Sequence, residues 1–215
     1  MSSRTTSINC PLAGFAIATA GWILCVTCMG LVEWRVWHMN STSFWEPSPI
    51  SVGMWKVCVY RHVSYFDRAR LCYPYTYGDT FLPLNIHVGQ HLLLAASILG
   101  LLGKVCIVFA LRKLSIVILG RKVICNPFAV AGILNMAAGM CILITVIWNH
   151  KSVMNGEGIS FPLSFHIPLK PDWQEIGNTM LVAYLAAFLM LLSVLFHLRF
   201  QCPMPNQVQP EASET

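Results

Sequence analysis

Glu33 to Cys72 reads EWRVWHMNSTSFWEPSPISVGMWKVCVYRHVSYFDRARLC, a polar, aromatic-rich stretch with two cysteines, set between runs that carry almost no charge. Trp34 to His38 alternates large side chains, and Val52 to Arg61 continues the same period of two, which predicts strands. In the second of these, Gly53, Trp55, Val57 and Val59 share one face, and Val52, Met54, Cys58 and Tyr60 share the other. Pro47 and Pro49 break the chain between the two. Tyr73, Tyr75 and Tyr77, closed by Gly78 and Asp79, form a third candidate strand. A small sheet is therefore expected within residues 33–87.

The flanking sequence decides where that sheet sits. The chain has 215 residues, 56% of them apolar and 11% charged, a composition suited to lipid. Pro11 to Val32, Pro127 to Trp148 and Ile176 to Leu198 carry no Asp, Glu, Lys or Arg, and Val88 to Leu111 carries only Lys104. A helix needs about 20 residues to cross about 30 Å of hydrocarbon, and each run is long enough. The first run, at 22 residues, is too long for a signal-peptide core and lacks a small-residue cleavage site, so it is expected to stay as a helix. The expected layout is an N-terminus over 1–10, spans at 11–32, 88–111, 127–148 and 176–198, outer loops at 33–87 and 149–175, an inner loop at 112–126 and a disordered tail over 199–215.

Orientation follows from basic residues beside the spans. Arg112, Lys113, Arg121 and Lys122 fall in the acid-free segment 112–126, with Arg4 and Arg199 at the outer ends of the first and last runs. Both termini are thus expected in the cytoplasm. The net charge of +5 is mostly this topological signal, and no nucleic-acid partner is implied. Among nine cysteines only Cys58 and Cys72 lie in exterior polar sequence, where oxidation is permitted, so they are expected to pair.

Other features have ordinary readings. Gly14/Ala18 and Ala16/Ala20 are small-residue spacings that admit close helix approach, and the third span is similarly rich in Ala and Gly. Cys25 and Cys28 form a C-x-x-C, but apolar surroundings silence the thiolate that redox work requires. His87 and His91 stand one turn apart without a third ligand nearby, so no metal and no cofactor are expected. Asn40, Ser41 and Thr42 form a glycosylation sequon, and Cys202 is a palmitoylation candidate. The inner basic segment suits contact with anionic membrane lipids. Phe161, Phe165 and Trp173, spaced by Pro162, Pro168 and Pro171, suggest a rigid exposed contact tip on the second outer loop.

Together these residues resemble the claudin family. Trp34, then Gly53, Met54 and Trp55 in place of the family's Gly-Leu-Trp, then Cys58 and Cys72, match its first-loop pattern, and Glu175-Ile-Gly177 looks like its Glu-x-Gly before the fourth span. The resemblance implies an integral membrane, mainly α fold. It is a left-handed four-helix transmembrane bundle with a small extracellular antiparallel β-sheet, formed mostly by the first outer loop. It further implies a non-enzymatic tight-junction protein that associates with itself and other claudins in cis and trans, forming strands that seal or conduct between cells. The sequence departs from the family in a longer interval between the cysteines, in Gln90 where most members have arginine, and in the end of the tail. Thr215 is a poor last side chain for a PDZ groove.

In charge-selective claudins the residue after the second cysteine often sets ion preference, and here it is the uncharged Tyr73. Arg61, Arg68 and Arg70 outnumber Asp67 between the cysteines, a balance that favours anions. Two other classes compete: an auxiliary or trafficking subunit of a membrane channel or receptor, and a thiol oxidoreductase built on Cys25 and Cys28.

Overall fold

In hydrocarbon a backbone amide has no solvent partner, so a run of apolar residues must satisfy its own hydrogen bonds as a helix. A computed structural model, which describes residues 2–39, 49–64, 67–117 and 126–199, contains four such helices, all long and apolar enough to cross a membrane. They are α1 (Ser2–Gly30), α2 (Leu84–Val117), α3 (Asn126–Met154) and α4 (Asn178–Arg199). Five strands accompany them: β1 (Arg35–His38), β2 (Ile50–Val52), β3 (Lys56–Ser64), β4 (Asp67–Pro74) and β5 (Trp173–Ile176). Asn40, Cys202 and the tail from residue 200 lie outside the described residues, as does most of the expected inner loop.

The helices overrun the apolar runs. Helix α2 begins at Leu84, where the Pro83 carbonyl accepts from Ile86 and His87, and continues to Val117. Helix α3 starts at Asn126 with Pro127 in its first turn, a position proline favours. It continues six residues past the expected span to Met154, where Gly156, at φ 65°, supplies the left-handed residue of a helix stop. In the bundle α2 packs on α3, α4 packs on both α1 and α3, and α1 meets α2. The buried stripe of α1 is Gly14, Ala18, Gly21, Cys25 and Cys28, alternating steps of four and three that hold one helical face. Ala16 and Ala20 are exposed, so only the first of the two small-residue pairs lies in the interface.

The sheet is antiparallel throughout, in the order β4-β3-β2-β1-β5. It differs from the sequence reading in three places. Val52 to Arg61 is two strands, because the chain reverses at Gly53–Trp55 so that Val52 faces Val57. Only Tyr73 of the three alternating tyrosines is in a strand; β4 stops at Pro74, and Tyr75 turns into the core. The fifth strand comes from the second outer loop and pairs Trp173 to Ile176 with His38 to Arg35. The first loop still supplies four of the five strands.

Between the underside of the sheet and the near ends of the helices lies the main core, which includes Trp34, Trp37, Val57, Tyr75, Ile86, Val146, Val153 and Phe161. Trp34 and Trp37 are both fully buried. Each removes about 200 Å² from solvent, on the order of 5 kcal/mol of hydrophobic stabilisation. The sheet is thereby fastened to the bundle.

Candidate functional site

The signature residues converge on the joint between sheet and bundle. Trp34 follows the end of α1, and its indole Nε1 donates to the Cys28 carbonyl at 3.0 Å, satisfying a helix-end acceptor that has no partner within the helix. Gly53 opens the turn from β2 to β3, where its N–H donates to the Lys56 carbonyl. A Cβ at Gly53 would lie 2.9 Å from Val32 Cα and 3.0 Å from the Leu31 carbonyl, so glycine is demanded by the backbone passing over it. The Tyr75 hydroxyl donates to the Gly53 carbonyl, and Gln90 Nε2 donates to the Met54 carbonyl at 2.6 Å. Met54 is buried and Trp55 half-buried, with Tyr77 edge-on to its ring. Gln90 thus anchors the turn itself.

One cation is sealed into this joint. Arg35 is buried, and its Nη2 donates to Asn149 Oδ1 on α3 at 2.8 Å. Burial lowers its pKa to about 10, opposed by Tyr75 and Glu157, so the guanidinium stays charged at neutral pH. The same burial raises the Tyr75 phenol well beyond its ordinary range and keeps it a neutral donor. Arg35 escaped the sequence reading, which treated Trp34 to His38 only as alternating bulk.

The outward part of the sheet carries the staple. Cys58 and Cys72 are bonded across directly opposed positions of β3 and β4, as expected. Next to them Arg70 lies over the Tyr60 ring, 5.8 Å from its centroid. Arg61 pairs with Ala69, Arg68 with His62 and Asp67 with Ser64, so all the expected selectivity residues except Tyr73 fall in the distal hairpin. Tyr73 lies at the base and stacks on Phe165, with centroids 4.7 Å apart.

The second outer loop is fastened to the first by side chains. His38 stacks on Trp173 with centroids 3.8 Å apart, and its Nε2 donates to Glu175 Oε2 at 3.3 Å. Trp37 Nε1 donates to Gln174 Oε1, and Gln174 Nε2 donates to the Val153 carbonyl on α3. The expected tip needs correction. Phe161 is only 3% exposed, packed between Trp37 and Phe81, and Phe165 is half-buried against Tyr73. Their rings complete the core beneath the sheet, and the large apolar residues this loop leaves outward are Leu163, 93% exposed, Leu169, 63% exposed, and Trp173, 50% exposed. Among the described residues His87 and His91 acquire no third ligand, and His91 stacks on Tyr77.

This is a multi-pass membrane protein whose loops fold into one disulfide-stapled cap. No family model matches the chain. Claudin-3 of Canis lupus familiaris is 25% identical over 198 aligned residues, covering 86% of this chain and 80% of Claudin-3. That similarity, with four membrane-length helices and a small antiparallel sheet, supports a divergent member of the claudin family.

Proposed function

We propose that the chain is a tight-junction structural protein of the plasma membrane, with its sheet outside the cell and both termini in the cytoplasm. Copies associate side by side in one membrane and head-on between cells, building strands that seal the paracellular space or line an ion path through it. The observation that carries this reading is a folded, disulfide-stapled cap with exposed apolar groups: Leu163 and Trp173 from the second outer loop, Tyr60 and Leu71 on the β3–β4 hairpin. Apolar surface held out by a folded scaffold favours contact with another protein. Strand β4 ends the sheet and offers its free edge for lateral pairing. Phe165 supports the tip from below, and Tyr73 the hairpin.

The arginine-rich hairpin, with Arg61, Arg68 and Arg70 against Asp67, gives any conducting path a weak anion preference. The test is expression of the full chain in fibroblasts that lack junctions, followed by freeze-fracture. Continuous strands at cell contacts are the expected result. A diffuse surface signal without strands overturns the reading in favour of an auxiliary subunit of another membrane protein.

A further inference from the structure

His87 and His91 belong to no metal cluster among the described residues, and the fold gives them another setting. Helix α2 carries exposed residues at intervals of seven, His91, Ile98 and Val105, so these share one face. Ile98 and Val105 lie well inside the apolar run 88–111, where the outward side of a membrane helix meets lipid. His91 is therefore a polar group on the lipid-facing side of α2, about 5 Å inside the sheet-side end of that run. His87, partly exposed, sits one turn nearer the sheet on the same side.

The first outer loop reaches down to this face. In the turn from Thr76 to Asp79 the Asp79 carboxylate accepts from the Thr76 N–H at 2.5 Å and from its hydroxyl at 3.2 Å, while the Asp79 N–H donates to the Thr76 carbonyl. That closure fixes Tyr77 at a central position of the turn. Its ring stacks on His91 with centroids 4.7 Å apart and planes 13° from parallel. Trp55, from the turn between β2 and β3, meets Tyr77 at 89° with centroids 4.9 Å apart. Three rings thus run in series from the joint beneath the sheet to the lipid-facing side of α2. Tyr77 and His91 both stay exposed, and the acid of the turn is already engaged by Thr76.

We propose that Tyr77, His87 and His91 form a phospholipid site, in which the headgroup phosphate of a lipid in the sheet-side leaflet accepts from the Tyr77 hydroxyl and the two imidazoles, and its chains run along Ile98 and Val105. Depth selects a lipid. Rings with one apolar and one polar end favour the edge of the hydrocarbon, where the abundant acceptors are lipid phosphates and ester carbonyls. Chemistry selects the phosphate. A phenol carries an O–H donor, an imidazole carries at least one N–H donor whether neutral or protonated, and bonds to an ionised oxygen are about twice as strong as neutral ones. A sterol suits the rings but brings one hydroxyl to three donors, and a glycolipid brings hydroxyls without charge. A phospholipid held there touches α2 and, through Tyr77 and Trp55, the base of the sheet. The bilayer is then a further fastening of the cap, beside Trp34 and Trp37. Such a site requires only that α2 crosses the membrane, and it stands whether or not copies form strands.

The test uses the full chain in detergent, with native mass spectrometry after addition of phosphatidylcholine or of monogalactosyl diacylglycerol with matched chains, which lacks the phosphate. The wild type is expected to hold one phosphatidylcholine about tenfold more tightly than the galactolipid. The triple variant Tyr77→Phe, His87→Phe, His91→Phe keeps a ring at each position and removes the donors, and it is expected to bind the two lipids equally. No preference in the wild type, or a preference that survives in the triple variant, overturns the proposal. Inorganic phosphate that displaces the lipid as well as phosphatidylcholine does would assign these donors to a free anion and overturn the lipid. A second measurement needs no variant. In phosphatidylcholine nanodiscs, solid-state NMR of histidine-labelled protein is expected to show dipolar coupling between imidazole nitrogen and lipid phosphorus, and its absence overturns the site.

Discussion

Gly177 shows how one missing side chain decides a joint. It lies between β5 and α4, its N–H donates to the Trp34 carbonyl, and a Cβ there would fall 1.9 Å from the Glu33 carbonyl. No rotamer relieves that clash, because both partners are backbone. The Glu33 carbonyl is further committed, since it accepts from Thr179 in the first turn of α4 and so satisfies one of that helix's free donors. Gly177→Ala must push β5 away from β1 or lift α4 off the end of α1. It is expected to destabilise the fold by about 3 kcal/mol, at the upper end for overpacking. Gly30→Ala, where an added Cβ meets nothing within 4 Å, is expected to stay within about 0.5 kcal/mol. Thermal unfolding of the two variants checks the contrast, and equal losses would remove the close-approach explanation.

Among the elements, the β3–β4 hairpin has the most to lose. It stands at the edge of the sheet, with strand neighbours on the β2 side only, and the Cys58–Cys72 bond is its covalent tie. Replacing both cysteines by serine frees a loop whose closure is worth about 3 kcal/mol in the chain-entropy model. The expected loss of midpoint is about 6–12 °C. Hydrogen exchange should show that loss concentrated in β3 and β4, with β1 and β5 still protected. Uniform loss across the sheet would mean that the staple supports the whole cap. The bond was legible in the sequence because only two cysteines lie in oxidisable polar sequence, and the spans because they lack charge. The break at Gly53–Trp55 was not. Its turn residues are apolar, Met54 buried in the core and Trp55 half-buried against it, so alternation runs through the reversal with no polar signal to mark it. Tyr75 misled in the opposite way, holding the strand period while its hydroxyl turned back to Gly53. Strand β5 was hidden because Trp173 to Ile176 is short and half polar, and its pairing with β1 depends on a partner more than 130 residues away. Phe161 was misplaced because neighbouring prolines describe a stiff loop but not which way its rings point.

At the scale of the molecule, the fold divides the chain's chemistry between two ends of one bundle. The disulfide, the sheet, Lys56, Lys151 and Lys170 belong to one end, and the basic segment 112–126 connects α2 to α3 at the other. Two physically separate effects favour the proposed orientation, with the sheet outside the cell. Disulfides persist on the oxidising side of a membrane, and short loops rich in Lys and Arg without acids are retained in the cytoplasm. The sheet end also carries arginines, but they sit in a long folded loop, where translocation is less sensitive to charge. An amine-reactive, membrane-impermeant reagent applied to intact cells is therefore expected to modify the exposed Lys151 and Lys170 and to leave Lys113 and Lys122 untouched until the membrane is permeabilised. Labelling of Lys122 in intact cells would invert the molecule. It would put the staple in a reducing compartment, and the outward apolar tip at Leu163 would lose any opposing cell to meet.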